Sequence, residues 1–159
     1  MKLSARLNAI AGFIEKDASV ADIGTDHCLL PVFLAINGLA KHIIASDISE
    51  GSLRSARRTA EKYGVEDKIT FVLAPGLSGV CEMQIDTVVI SGVGGETIIG
   101  ILAQADWLKT CGVRLILQPQ SKDQQLRLWL HENGYAIQDT KLVLDKRRYY
   151  TVLLVSYVL

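Results

Sequence analysis

The chain has no excess of charge of either sign: 17 Lys and Arg stand against 17 Asp and Glu in 159 residues. Phosphate binding draws on positive charge, so a nucleic-acid partner would have to be met by a local cluster of cations. Cysteine is scarce. Cys28, Cys81 and Cys111 are far apart and odd in number, which argues against a disulfide framework or a zinc site and fits a reducing compartment. A cytoplasmic location is therefore expected. No apolar run reaches the roughly 18 residues of a membrane span, and the opening Met-Lys-Leu-Ser-Ala-Arg lacks the apolar core of a signal peptide. There is no internal repeat, low-complexity segment or linker. A dinucleotide fingerprint, G-x-G-x-x-G after a strand, is also missing. What remains is a chain with 49% hydrophobic and 21% charged residues, enough for one domain with a full core and no staples.

Helical and strand periods alternate along the chain. Leu3, Leu7, Ile10, Ala11 and Ile14 fall at helical spacing behind a Ser4 cap, giving an N-terminal helix over about 3–16. A strand over 20–23 is followed by an apolar helix over 29–37, with Pro31 in its first turn. A second strand covers 43–46. Ser49 can cap a polar helix over 50–63 that ends at Gly64. Strands over 69–73 and 86–90 follow, then a glycine-rich loop over 91–95 and a helix over 96–105. A fifth strand covers 114–117, with Gln118-Pro119-Gln120 as the loop after it and Ser121 as the cap of a helix over 122–132. Two closing strands, 137–144 and 149–157, are joined by the turn 145–147. The near-continuous Val and Ile runs of the middle strands predict a parallel sheet covered on both faces. Seven strands with a late hairpin look like the Rossmann-like class I methyltransferase variant of the doubly wound α/β fold: a mostly parallel sheet with an antiparallel C-terminal hairpin.

The most informative stretch is Val-Ala-Asp-Ile-Gly-Thr-Asp-His at 20–27. An apolar strand runs into Asp22, a tight turn at Gly24, and then Asp26 and His27. A second strand ends in another acid, Asp47. Acids at the carboxyl ends of adjacent parallel strands are where an open α/β sheet holds a nucleoside cofactor. A pyrophosphate needs close backbone approach at several points, and a single glycine does not provide it. S-adenosylmethionine carries no phosphate; it needs a carboxylate site, an ammonium site and a cavity for its sulfonium. Gly24 admits close approach, the next helix points its N-terminus at a carboxylate, and Asp22 suits an ammonium, with a plain turn cap as the alternative. Asp47 can accept from both ribose hydroxyls, or cap the helix that follows, or do both.

Asp26 and His27 exceed what cofactor binding requires. They are either a capping acid and a packed imidazole, or groups facing the acceptor, with Asp26 accepting from an adenine amino group. With no third ligand beside them, a metal is not expected. Ser91-Gly92-Val93-Gly94-Gly95 is read as a wall of the cofactor or acceptor site, or as simple loop geometry. Gln118 and Gln120 flank a rigid Pro and offer paired donors and acceptors for the edge of a base, or form an exposed turn. Arg54, Arg57, Arg58 and Lys62 share one helix, and Lys146, Arg147 and Arg148 lie at the hairpin. With Lys2 and Arg6 they form either a phosphate-tracking surface or ordinary solvated faces. Trp107 and Trp129 are read as core or cover residues.

Lys2-Leu-Ser-x-Arg-Leu, Ala-Asp-Ile-Gly-Thr-Asp-His at 21–27, Ser-Gly-Val-Gly-Gly at 91–95 and Leu-Ile-Leu-Gln-Pro-Gln at 115–120 together resemble the bacterial tRNA (adenine(22)-N(1))-methyltransferase family (TrmK). The resemblance covers essentially the whole chain. It implies S-adenosylmethionine as methyl donor, S-adenosylhomocysteine as product, and tRNA as acceptor, methylated at N1 of an adenine in the D-loop region. Catalytic roles are expected for Asp26, His27, Gln118 and Gln120, and cofactor contacts from Asp22, Gly24, Thr25, Asp47, Ile48, Pro75, Gly76, Ser91, Gly92, Val93 and Gly94. RNA contacts are expected from Lys2, Arg6, Arg54, Arg57 and Arg58. No metal or membrane partner is expected, and a monomer is the favoured state.

Three departures from the family pattern stand out. Ala74-Pro75-Gly76-Leu77 replaces the family's Gly-Asp-Gly-Leu, whose Asp is placed to bind the cofactor's adenine amino group. Gln120 replaces an Asn. The family's helical C-terminal extension is absent from this chain, which stops at Leu159. Pro75 and the missing extension support an alternative reading as a degenerate member that binds nucleotide or RNA. A methyltransferase with another acceptor is a further alternative, since one fold hosts many acceptors.

Overall fold

A computed structural model of the protein describes residues 1–81 and 83–158. Its strands are β1 (Ala18–Ile23), β2 (Ala40–Asp47), β3 (Thr70–Leu73), β4 (Thr87–Val93), β5 (Arg114–Pro119), β6 (Tyr135–Asp145) and β7 (Arg148–Tyr157). Its α-helices are α1 (Ala5–Gly12), α2 (Leu29–Ile36), α3 (Glu50–Lys62), α4 (Gly95–Ala103) and α5 (Asp123–Glu132). The strands form one sheet in the order β3-β2-β1-β4-β5-β7-β6. The first five are parallel, and β7 inserts antiparallel between β5 and β6. This is the Rossmann-like seven-stranded arrangement expected from the strand count. The order reverses direction between β1 and β4, which opens a crevice at their carboxyl ends.

Alternation along the strands feeds two cores, because successive side chains leave a sheet on opposite faces. Val20, Ile43, Val89 and Ile116 pack with α1, α2 and α3 residues such as Ile10, Leu34 and Ala56. Ala21, Ile44, Val88, Ile90, Leu115 and Leu117 pack with α4 and α5 residues such as Ile98, Leu102, Leu126 and Leu130. Trp107 and Trp129 cover that second core. The caps at Ser4 and Ser49 are present, each hydroxyl accepting from the backbone N–H three residues on, at 3.2 Å. The polar helix ends as expected at Gly64, which takes φ +67.

Several expectations need correction. α1 is shorter than 3–16. The stretch 91–93 is not loop but the end of β4, with an irregularity between Ser91 and Val93 where it pairs with Gln118 and Pro119 of β5. The helix that follows begins at Gly95. Gln118 and Pro119 are likewise strand, buried by that pairing. Ser121 does not cap α5: the cap position is Lys122, in the left-handed conformation, with no side-chain hydrogen bond. The carbonyl of Ser121 instead accepts from the Gly95 N–H at 2.7 Å. That docking explains Gly95, where a Cβ would come within 2.6 Å of the Lys122 carbonyl oxygen. The hairpin turn is two residues, Lys146-Arg147, both with positive φ, the conformation of a type I′ turn.

Candidate functional site

A cleft of about 720 Å³ lies over the carboxyl ends of β1, β2 and β4. Its walls include Asp22, Gly24, Thr25, Asp26, His27, Asp47, Ile48, Gly76, Ser91, Gly92, Val93 and Gln120, so residues distant in sequence meet at one place. Pro75, Gly94 and Gln118 are not among the lining residues: Pro75 is exposed, and Gln118 is buried behind Gly92. Arg6, read from the sequence as an RNA contact, also lines the cleft. Lys2 lines an adjoining cavity, while Arg54, Arg57 and Arg58 are exposed on α3.

The turn after β1 is held from β2. The N–H groups of Gly24 and Thr25 both donate to the Ser46 carbonyl, at 2.9 and 3.0 Å. Gly24 takes φ +72, and a Cβ there would meet nothing within 4 Å. The glycine is thus needed for its backbone conformation, and it leaves open space towards the cleft. Two further residues of the turn, Asp26 and Cys28, also have positive φ, a concentration of uncommon backbone typical of binding sites. The first turn of α2 has no side-chain cap, and Leu29 and Leu30 from that turn line the cleft.

The two acids differ. Asp22 is buried and accepts from the Thr25 hydroxyl at 3.0 Å. Burial pushes its carboxyl up to about 7; the Thr25 hydrogen bond and the Arg6 charge pull the other way, and Asp47 adds to the rise. Among the described residues Asp22 forms no ion pair, and the Arg6 charge offsets its burial only in part. Asp47 accepts from the backbone N–H of Asp26 at 3.1 Å and of Ser49 at 3.0 Å, one on each oxygen. Asp47 does not cap α3, whose cap is Ser49; it braces the turn after β1 instead, and each oxygen keeps a lone pair for a further donor.

Asp26 and His27 sit at the rim. The His27 Nε2 is 3.7 Å from Asp26 Oδ2, and its Nδ1 is 3.0 Å from the Ser55 hydroxyl. Both side chains are exposed, where they can meet a large ligand. Cys28 beneath them has its thiol pushed up to about 12 by burial, so it stays protonated and inert as a nucleophile. Among the described residues, no group of three or more His, Cys, Asp and Glu side chains could hold a metal ion.

Gln118 works from behind the wall. Its Oε1 accepts from the Gly92 N–H at 2.9 Å and from Arg6 Nη1 at 3.0 Å. Its Nε2 donates to the Pro119 carbonyl at 3.0 Å and reaches Gln120 Oε1 at 3.4 Å. One buried amide thus fixes the end of β4, the arginine of α1 and the loop after β5. Thr97 and Ile101 of α4 and Ser52 of α3 complete the lining. Nothing in their local sequence marks them; only the packing of α3 and α4 against the strand ends does.

Residues 3–153 match the family model described as "Methyltransferase domain". The chain is 36% identical over 153 residues to the tRNA (adenine(22)-N(1))-methyltransferase of Bacillus subtilis (strain 168), covering 96% of this chain and 64% of that protein. It is similar to the crystal structure of the Bacillus subtilis tRNA methyltransferase TrmK, with TM-score 0.90 and 36% identity, covering 99% of this chain and 67% of that one. A Streptococcus pneumoniae structure in complex with S-adenosyl-L-methionine matches with TM-score 0.92 and 34% identity, covering 98% of this chain and 73% of that one.

Proposed function

The chain belongs to the tRNA (adenine(22)-N(1))-methyltransferase family, and from that premise we propose that it binds S-adenosylmethionine in the β1–β2–β4 cleft and methylates N1 of adenine 22 in the D-loop region of tRNA. The observation that carries the reading is the pair of buried acids, Asp22 and Asp47, facing one cleft across the Gly24 turn. The donor set fits the cofactor. Asp22, buried and in no ion pair among the described residues, would hold the methionine ammonium. Asp47, at the end of β2, would take the ribose hydroxyls. The open space at Gly24 and the uncapped start of α2 would receive the carboxylate. Ala74 and Gly76 would flank the adenine, and Pro75 between them offers it neither a carboxylate nor an N–H.

When bound, S-adenosylmethionine would supply an electrophilic methyl group for in-line transfer to the adenine N1 lone pair, the C–S bond breaking as the N1–C bond forms and S-adenosylhomocysteine departing. In neutral adenine N1 carries no proton, so no general base is required. The residues of the chain have to orient the base and exclude water. Asp26 at the rim accepts from the adenine amino group and His27 flanks it. Gly92, fixed by Gln118, and Gln120 form the opposite side. Free thiols and a tRNA substrate suit a cytoplasmic location.

The direct check is Asp26→Gly, which removes the carboxylate and keeps a residue that tolerates the φ of +52 found there. Its methylation rate should fall by about ten- to a hundredfold, the worth of a charged hydrogen bond, with cofactor affinity retained. An unchanged rate would remove Asp26 from the reaction. Pro75 supports a second reading, an RNA-binding member without transfer. Intact RNA binding with no S-adenosylmethionine binding by calorimetry would favour it.

A further inference from the structure

Beside the cofactor cleft lies a second cavity of about 320 Å³, and the two share Arg6, Leu7, Leu29 and Gln120 as walls. Its far side is built by the hairpin turn between β6 and β7: Asp145, Lys146 and Tyr150 face Lys2 and Arg6 across it. We propose that this cavity is the subsite for the acceptor RNA strand, with Lys146 of the hairpin turn and Lys2 taking a phosphate and Tyr150 stacking on a base next to the one methylated. The identity of the neighbouring cleft as the methyl-donor site rests on the reading above; the charge and shape of the cavity do not.

Position comes first. Ala74 and Gly76 after β3 mark one end of the cofactor cleft, with Asp47 on β2 and Asp22 on β1 in its middle. The second cavity opens beyond them, on the β5 and β7 side of the sheet. A strand of RNA entering there would pass Gln120 before reaching the cleft. Charge comes next. The whole chain is neutral, yet this cavity gathers Lys2, Arg6 and Lys146 around a single acid. That acid, Asp145, is already engaged: its Oδ2 accepts from the Arg6 backbone N–H at 3.3 Å. The same contact ties the hairpin turn to α1, so the wall of cations is held in place by the fold.

Tyr150 is half-buried, with the Arg148 guanidinium 5.4 Å from its ring centroid. An aromatic ring among cations is how single-stranded RNA is held without a base code, by stacking and phosphate contact together. Finally, the turn keeps two basic residues, Lys146 and Arg147, at φ +49 and +68. Asn-Gly is the ordinary solution for such a turn. Basic side chains kept there against backbone preference fit a site that uses them.

The test uses the full chain and two variants, Lys146→Asn, in which Asn accepts the left-handed backbone, and Tyr150→Leu. Binding of an unmodified tRNA transcript and of a short adenine-containing oligoribonucleotide is read by fluorescence anisotropy across a salt series, and S-adenosylmethionine binding by calorimetry. Lys146→Asn should weaken RNA binding and reduce the salt slope by about 1. Tyr150→Leu should weaken it by about tenfold or more, the loss of one stacked base, with little change in slope. S-adenosylmethionine affinity should stay as in the wild type. Wild-type RNA affinity and slope in both variants would overturn the proposal, as would a loss confined to S-adenosylmethionine, or a wild-type chain that binds no RNA. If the wild-type chain methylates tRNA while the variants bind RNA normally, the enzyme reading stands and this subsite fails. If RNA binding shows the expected losses but no methyl group is transferred, the subsite stands and the enzyme reading fails.

Discussion

The proposed pairing of Asp22 with the methionine ammonium makes cofactor binding a proton-linked event. Burial raises its carboxyl from 3.8 to about 7, so near neutrality a large share of the free protein carries a proton there. Pairing with an ammonium requires the ionised form, and the proton must leave. S-adenosylmethionine affinity should therefore fall about tenfold for each pH unit below 7 and hold a plateau from there to about 8, where the methionine ammonium begins to lose its own proton. At pH 6 the dissociation constant should be about tenfold weaker than on the plateau. The stability of the free protein runs the other way. A carboxyl whose folded value is raised contributes stability that is fully present below pH 3.8 and lost as pH rises through 7, an upper bound of about 4 kcal/mol by pH 8. Asp22→Asn should remove both effects: the affinity profile flattens, and the free variant becomes more stable than the wild type at pH 8. Calorimetry from pH 5.5 to 8 in buffers of different ionisation enthalpy measures the affinity and the proton released, and thermal melts give the stability. His27→Gln separates any contribution of the imidazole at the rim. A flat affinity profile in the wild type, or the same slope in Asp22→Asn, would refute the assignment of Asp22 to the ammonium.

Three further outcomes are expected. Asp47→Asn, which keeps a side chain able to cap the turn, should weaken S-adenosylmethionine by about ten- to a hundredfold through the lost charged hydrogen bond, and calorimetry reads it directly. Pro75→Asp should tighten the same binding by a comparable factor, because it puts a carboxylate between Ala74 and Gly76 where the cofactor's adenine would lie; unchanged affinity would show that the purine does not reach this loop. Gly95→Ala places a methyl 2.6 Å from the Lys122 carbonyl oxygen and 2.8 Å from that of Ser121. Backbone cannot give way as a side chain can, so about 1–3 kcal/mol of stability should be lost, visible as a lower denaturation midpoint in urea.

The fold was legible because the signals are local. Val20 to Ile23 and the Val and Ile residues of β4 and β5 form short apolar runs, and Ser4 and Ser49 cap helices within their own turns. The acids at the strand ends were legible for the same reason: the strand, the acid and the glycine are contiguous. What escaped is held by long-range bonds. Residues 91–93 look like loop because of their glycines, yet pairing with Gln118 and Pro119 extends both strands. The Gln118 amide that binds Gly92 and Arg6 lies 26 and 112 residues from them. No local pattern announces that an arginine of the first helix reaches the cleft. Ser121 precedes a helix as a cap should, but docking of its carbonyl on Gly95 sets Lys122 in the left-handed conformation and moves the cap there.

The most direct measurement is methyl transfer from labelled S-adenosylmethionine to an unmodified tRNA transcript, alongside a transcript with guanine in place of the adenine at position 22. The reading predicts incorporation into the first transcript only, with the label at N1 of that adenine. Equal labelling of both, or binding of S-adenosylmethionine with transfer to neither, would contradict it.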